Sequence, residues 1–168
     1  MSNIIKLIVG LGNPDLPAGR HGKKYADTYH NVGFLFIEFF KKNPTLYPIP
    51  YTLIASDVYM NESGRFVVKI IKKYGIKPKE LLIIHDESDI ILGKYKLSFG
   101  RGAAGHHGVE SVQTALKTKD FWRLRIGIRL PTASRMKAEK FVLKKITSAN
   151  KKTLEEVFKE AWTKIKNF

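Results

Sequence analysis

The sequence predicts a single α/β domain, on three observations. Two short, β-branched, apolar runs, Ile4–Val9 and Leu81–Ile84, have the length and composition of buried strands. Segments with helical periodicity alternate with them at Val32–Lys42, Arg65–Tyr74 and Lys151–Phe168. The 168 residues show no internal repeat and no clear domain boundary, a size that suits one domain with a full core.

Taken in order, the first strand runs into Gly10-Leu11-Gly12-Asn13-Pro14. This resembles the start of a dinucleotide site. The third glycine of GxGxxG is missing, however, and Pro14 breaks the helix that should follow, so a dinucleotide site is rejected. The turn instead presents the Asn13 amide at the rim of a sheet, unless Asn13 only makes a turn with Pro14. Asp15–Lys24 is a loop rich in Pro, Gly and basic residues, and its His21 is expected to be exposed. Val32–Lys42 is apolar on most faces and ends in two lysines, as the helix dipole favours. Asn43–Tyr51 carries three prolines and is irregular, and Thr52–Ile54 starts a short strand. Asn61 falls at the entrance of the amphipathic helix Arg65–Tyr74, where a helix cap is the plain reading; Gly75 closes that helix.

The second apolar run leads directly into His85-Asp86-Glu87-Ser88-Asp89. Acidic residues after a central strand sit at the carboxyl edge of an open sheet, where such folds place their sites; the alternative is a solvated acidic turn. Gly93–Leu97 reads as a strand with Lys94 and Lys96 on one face. The glycine-rich loop Gly100–Gly108, with Arg101, His106 and His107, precedes a helix over Val109–Lys117. In the strand Phe121–Leu130, Arg123, Arg125 and Arg129 alternate with Trp122, Leu124, Ile126 and Ile128, which suggests a basic stripe facing phosphate. Helices are expected at Lys137–Ile146 and Lys151–Phe168.

Composition narrows the chemistry. With no cysteine, disulfides, thiolate catalysis and Cys-based zinc sites are excluded, and a reducing cytoplasm is the natural location. No apolar run is long enough to span a membrane, and Met1–Lys6 has no signal-peptide layout. Thirty Lys and Arg against fifteen Asp and Glu give a net charge of +15, which favours a polyanion such as nucleic acid. The lysines are spread along the chain, as on the basic face of a folded domain. Histidine is the side chain that takes and returns a proton near neutrality. His30 stands beside Asn31 and Gly33 at the head of an apolar helix. Asn13, Asn61, Asp86 and the pair His106-His107 likewise fall at element ends beside turn residues, where sites are usually placed.

Six stretches, in this order, resemble the bacterial-type peptidyl-tRNA hydrolase family: Lys6–Pro14, Tyr25–Gly33, Tyr59–Gly64, His85–Asp89, Gly105–Gly108 and Phe121–Gly127. The resemblance implies a single three-layer α/β/α domain on a mixed, mostly parallel sheet. It implies hydrolysis of the ester joining peptide to the 3′ end of tRNA, without metal or cofactor, by a monomer that touches the acceptor stem. Carried over by position, His30 is the base that activates water, and Asp86 fixes its tautomer and favours its cation. Asn13 and Asn61 hold the peptide end and place the carbonyl, and Asn61 is also suited to the oxyanion or the water. Met60 is an apolar wall under the substrate, His106 and His107 stand in the substrate loop, and Tyr25 lies at the mouth. Lys96 and Arg125 match the pair that clamps the tRNA 5′ phosphate, with Lys94 and Arg101 nearby.

The chain departs from the family pattern in five places. His107 replaces the usual asparagine, and one imidazole donor lacks an amide's paired donor and acceptor. Tyr29 replaces an arginine before His30, the Asp15–Lys24 loop is longer than usual, and both the 34–58 segment and the C-terminal part are shorter. Two rival readings are a tRNA-binding protein that has lost hydrolysis and a metal-dependent phosphohydrolase built on His85, Asp86, Asp89, His106 and His107. The second is disfavoured because helical histidine–aspartate hydrolases carry such ligands on helices.

Overall fold

Leu7–Gly10 (β1) is buried at all four positions, as a strand covered on both faces must be. It pairs in parallel with Thr52–Ala55 (β2) on one side and with Leu81–Ile91 (β3) on the other. Trp122–Arg129 (β5) adds in parallel to β3, and Tyr95–Phe99 (β4) closes the sheet antiparallel to β5. The resulting order is β2-β1-β3-β5-β4, mixed but mostly parallel. The computed structural model describes residues 5–15, 25–47, 50–131 and 138–168.

Two apolar layers follow from the alternation along the strands. Ile8, Leu82, Ile84, Leu124 and Ile126 pack against Val32–Lys42 (α1) and Ser148–Ile165 (α5), where Phe40 stacks on Trp162 with ring centroids 4.5 Å apart. Leu7, Val9, Leu81 and Ile83 point the other way and pack against Ser63–Tyr74 (α2) and His107–Leu116 (α3). The layers are therefore α/β/α. Helix α1 meets the sheet closely at Gly33, where a Cβ would lie 2.5 Å from the carbonyl oxygens of both Ile84 and Leu11. Helix α2 ends where expected: Gly75 takes a left-handed φ of 63° and its N–H caps Ile71 and Lys72.

The structure moves several expected boundaries. β3 does not stop at Ile84 but continues through His85, Asp86 and Glu87 to Ile91. Asp86 and Glu87 are 2% and 4% exposed, so the solvated acidic turn is ruled out. Each finds charged or hydrogen-bonding partners, and the parallel ladder with β5 runs past them. Helix α2 starts at Ser63 and α3 at His107, each two residues early, and α5 runs three residues ahead at both ends, with Thr147 as its cap. β4 starts at Tyr95, after a turn in which the Lys94 N–H reaches Ile91. The helix expected at Lys137–Ile146 shortens to Ala138–Phe141 (α4). There the helix stops, and the carbonyls of Val142 and Lys144 accept from His30 and Tyr29 instead of from a further helical turn. The expectations for residues 16–24, His21 among them, lie outside the described residues.

From β1 the chain crosses α1 to β2 on one side, whereas β3 leads toward β5 on the other. The carboxyl ends of β1 and β3 are thus the place where the sheet's connections part, and a cleft is expected there.

Candidate active site

His30 lies in the single 3-10 turn Tyr29–Asn31 that feeds α1. Its main chain is held from outside: Tyr29 N–H donates to Lys144 O at 3.2 Å and His30 N–H to Val142 O at 2.8 Å. The next side chain, Asn31, clamps the turn after β1. Its Oδ1 accepts from Asn13 N–H at 2.8 Å and its Nδ2 donates to Asn13 O at 2.9 Å. Sequence reading had placed Asn31 only near the helix start.

Nδ1 of His30 is 3.0 Å from both carboxylate oxygens of Asp86. A carboxylate only accepts, so Nδ1 carries the hydrogen and Nε2 keeps its lone pair. Burial by itself pulls the His30 imidazolium down. The charge and hydrogen bond of Asp86 outweigh it, and the pKa is raised above 6.5. For Asp86, burial pushes upward, but the two neighbouring imidazoles hold the carboxyl far below the usual range.

The second imidazole belongs to His106, which caps α3. Its Nδ1 accepts from Val109 N–H at 3.2 Å, so Nε2 carries the hydrogen and donates to Asp86 Oδ1 at 2.9 Å. A third histidine, His85, is fully buried. Its Nδ1 donates to the carbonyl of Asp86 at 2.7 Å, and its Nε2 accepts from Arg123 Nη1 at 3.3 Å. Burial is the main cause that holds its pKa well below 6.5, so it stays neutral. Arg123 corrects the expected basic stripe: it is 1% exposed and turns inward to the carbonyls of Gly102 and Arg101. Alternation correctly assigned its face of the sheet but not the loop that covers it. The roles of His85 and Arg123 were not read from the sequence, since their only signal is a polar residue continuing a core strand.

A cleft of about 620 Å³ is lined by His30, Asp86, His106 and His107 and also by Glu139 and Val142. Asn13, Met60, Asn61 and Tyr25 are not part of that lining. Asn13 is nearly buried, and its Oδ1 accepts from Met60 N–H at 2.8 Å. This orients the amide and leaves Nδ2 with no partner among the described residues. Met60 is buried at 5% exposure. Asn61 is exposed in the turn Met60–Glu62 and is not the cap of α2, a position held by Glu62. Tyr25 packs edge-on against Tyr59 at 6.2 Å. His107 is exposed, with Nδ1 3.5 Å from Glu110 Oε2. On the α2–α3 side of the sheet Lys96 stands opposite Arg125 across the β4–β5 ladder, and Lys94 and Arg101 are exposed nearby. Arg125 is partly neutralised by Glu87, with Nε 3.1 Å from Oε2.

The ligand atoms of His30, Asp86 and His106 lie within 4.8 Å of one another, close enough to suggest a metal. The hydrogen bonds argue otherwise. Val109 N–H holds the lone pair of His106 at Nδ1, so the ring aims hydrogen, not a lone pair, toward Asp86. The alternative set with His85 does not assemble among the described residues, because both His85 nitrogens are engaged and Asp89 and His107 are exposed.

Known proteins resemble this chain along most of its length. A family model described as "Peptidyl-tRNA hydrolase" matches residues 7–168. A protein of that name from Mycolicibacterium gilvum is 40% identical over 92% of this chain and 85% of its own length. One from Neisseria meningitidis is 36% identical over 93% and 86%. A crystal structure of peptidyl-tRNA hydrolase from Acinetobacter baumannii superposes with a TM-score of 0.80 at 35% identity, covering 98% of this chain and 88% of that one.

Proposed function

This chain belongs to the peptidyl-tRNA hydrolase family, and on that premise we propose that it hydrolyses the ester of peptidyl-tRNA with His30 as general base. The observation that carries the assignment is the double contact of His30 Nδ1 with Asp86, which leaves Nε2 as the proton acceptor of a ring that lines the cleft.

The steps follow from that tautomer. Nε2 takes a proton from water, and the hydroxide adds to the ester carbonyl carbon. Asp86 keeps the ring oriented and stabilises the imidazolium as it forms. The tetrahedral oxyanion collapses, the bond to the ribose oxygen breaks, and the imidazolium returns its proton to that oxygen. The products are tRNA with a free 3′ end and a peptide carboxylic acid, which loses its proton to solvent. Asn13 Nδ2 is the donor suited to a substrate carbonyl, because Met60 N–H prevents the amide from turning over. Asn61, exposed at the rim, is assigned to the oxyanion or the attacking water. Met60 and Tyr25, which lie outside the lining of that cleft, are assigned to the peptide by their motifs, and His106 and His107 to the cleft wall. Lys94, Lys96, Arg101 and Arg125 are assigned to acceptor-stem phosphates, supported by the pairing of Lys96 with Arg125 across the β4–β5 ladder, the exposure of Lys94 and Arg101, and the net charge of +15.

The test is hydrolysis of a purified N-acyl-aminoacyl-tRNA. EDTA should leave the rate unchanged, and His30→Ala should lower kcat by at least about a hundredfold while tRNA is still bound. A wild-type protein that binds this tRNA and never cleaves it would sink the assignment.

A further inference from the structure

We propose that Arg123 and His85 form a buried positioning relay that sets His106 against Asp86, an inference that rests on the assignment of His30 and Asp86 above. Neither residue lines the cleft, and neither is needed to explain the proton transfers.

The argument starts from the cost of Arg123. A guanidinium buried to 1% exposure loses its water, and such a group is normally repaid by a carboxylate. Among the described residues its hydrogen bonds all go to neutral acceptors: Gly102 O at 2.7 Å, Arg101 O at 3.2 Å and His85 Nε2 at 3.3 Å. These acceptors lead to Asp86 by two routes. The two carbonyls belong to the loop that delivers His106. That loop is conformationally demanding, with left-handed φ at Gly100, Ala104 and Gly105. His106 then donates to the carboxylate of Asp86, and its tautomer is fixed by Val109. The third acceptor, His85, donates from its other nitrogen to the main-chain carbonyl of Asp86. Side chain and backbone of the same aspartate are therefore each held by a histidine, and both holds trace to one guanidinium. The His85 and His106 rings also meet edge to face at 4.6 Å, closing the assembly.

The planar fork of an arginine is what this arrangement needs. Its separate N–H groups reach two carbonyls and a ring nitrogen at once, which a single ammonium does not. His106 in turn shares the charge of Asp86. If that hydrogen bond loosens, Asp86 becomes the stronger partner of His30, and the His30 cation persists to higher pH. The charged and titratable groups facing this set are Arg125 and Glu87 beside Arg123, and Glu139 and His107 on the cleft.

The experiment is steady-state hydrolysis against pH for Arg123→Lys, with the folded fraction taken from circular dichroism. It is paired with 15N imidazole spectra of the wild type and the variant. The wild type should show His106 as a single Nε2–H tautomer and His85 as a single Nδ1–H tautomer. A mixture of tautomers at either ring overturns the relay by itself. In Arg123→Lys, kcat per folded molecule should fall about tenfold to a hundredfold. The acidic limb of kcat/KM should move to higher pH, and the His106 signals should average. Partial unfolding would scale the pH curve without moving it. If Arg123→Lys does not fold, His85→Gln takes its place, because it can still accept from Arg123 but lacks the ring Nδ1–H that reaches Asp86. A folded variant with wild-type kcat and an unmoved limb refutes the relay and leaves the His30 assignment standing. An inactive wild type refutes that assignment instead.

Discussion

Asp86 is the residue with most to do. It sits between two imidazoles, offers both oxygens to His30, and accepts from His106 on one of them. On the proposed assignment of His30 as base, the charge of Asp86 sets the working pH. The folded His30 pKa lies above 6.5 and the base must be neutral, so activity should fall as pH drops through a midpoint above 6.5. Asp86→Asn removes the charge that raises His30 and leaves burial to act. The midpoint of kcat/KM should then move to lower pH, while kcat drops by about a hundredfold or more. A midpoint that stays in place would show that another group governs the limb. At this scale the pair His30–Asp86 was legible through the resemblance of their two short motifs to a known family. Arg123 was misread for a physical reason. Period-two alternation tells which face of a sheet a side chain takes, but whether a loop from elsewhere covers that face is decided by tertiary packing. His85 was read only as a ligand of the rival metal site for the same reason, since a polar residue extending an apolar run looks like the end of a strand.

The elements depend on close approach at one point. Helix α1 begins directly after the His30 turn and lies against the strand ends at Gly33, where a methyl group would press on two backbone oxygens. Gly33→Ala should cost about 1–3 kcal/mol in urea unfolding. It should also lower kcat beyond that loss, because moving α1 moves His30. Gly75→Ala is the control. Nothing lies within 4 Å of the added carbon, so only the left-handed φ of 63° resists, at about 1 kcal/mol, with kcat unchanged. Equal effects on activity from the two changes would refute the idea that Gly33 seats the turn. Helix α1 was read from the sequence with both boundaries correct, because lysines and an apolar face mark it locally. The end of β3 and the short α4 were not, because each depends on a partner far along the chain: Arg125 and His106 for β3, and the His30 turn for the residues after α4.

For the molecule as a whole the excess of positive charge dominates. Binding to a tRNA should weaken steeply with salt, and the slope of log affinity against log salt should drop by about one unit in Lys96→Ala. A slope unchanged in that variant would remove Lys96 from the phosphate contacts. Arg125→Ala should change the slope less than Lys96→Ala, because Glu87 already offsets its charge. The strap formed by Val142 and Lys144 reaches back over more than a hundred residues to hold the turn of His30. This has a consequence for the order of synthesis. The histidine leaves the ribosome early, and the residues that seat it emerge far later. While it is being made, the growing chain is itself a peptide esterified to tRNA. On the assignment of His30 as base, a chain stopped before Val142 should cleave no such ester, which hydrolysis by a truncated protein would check.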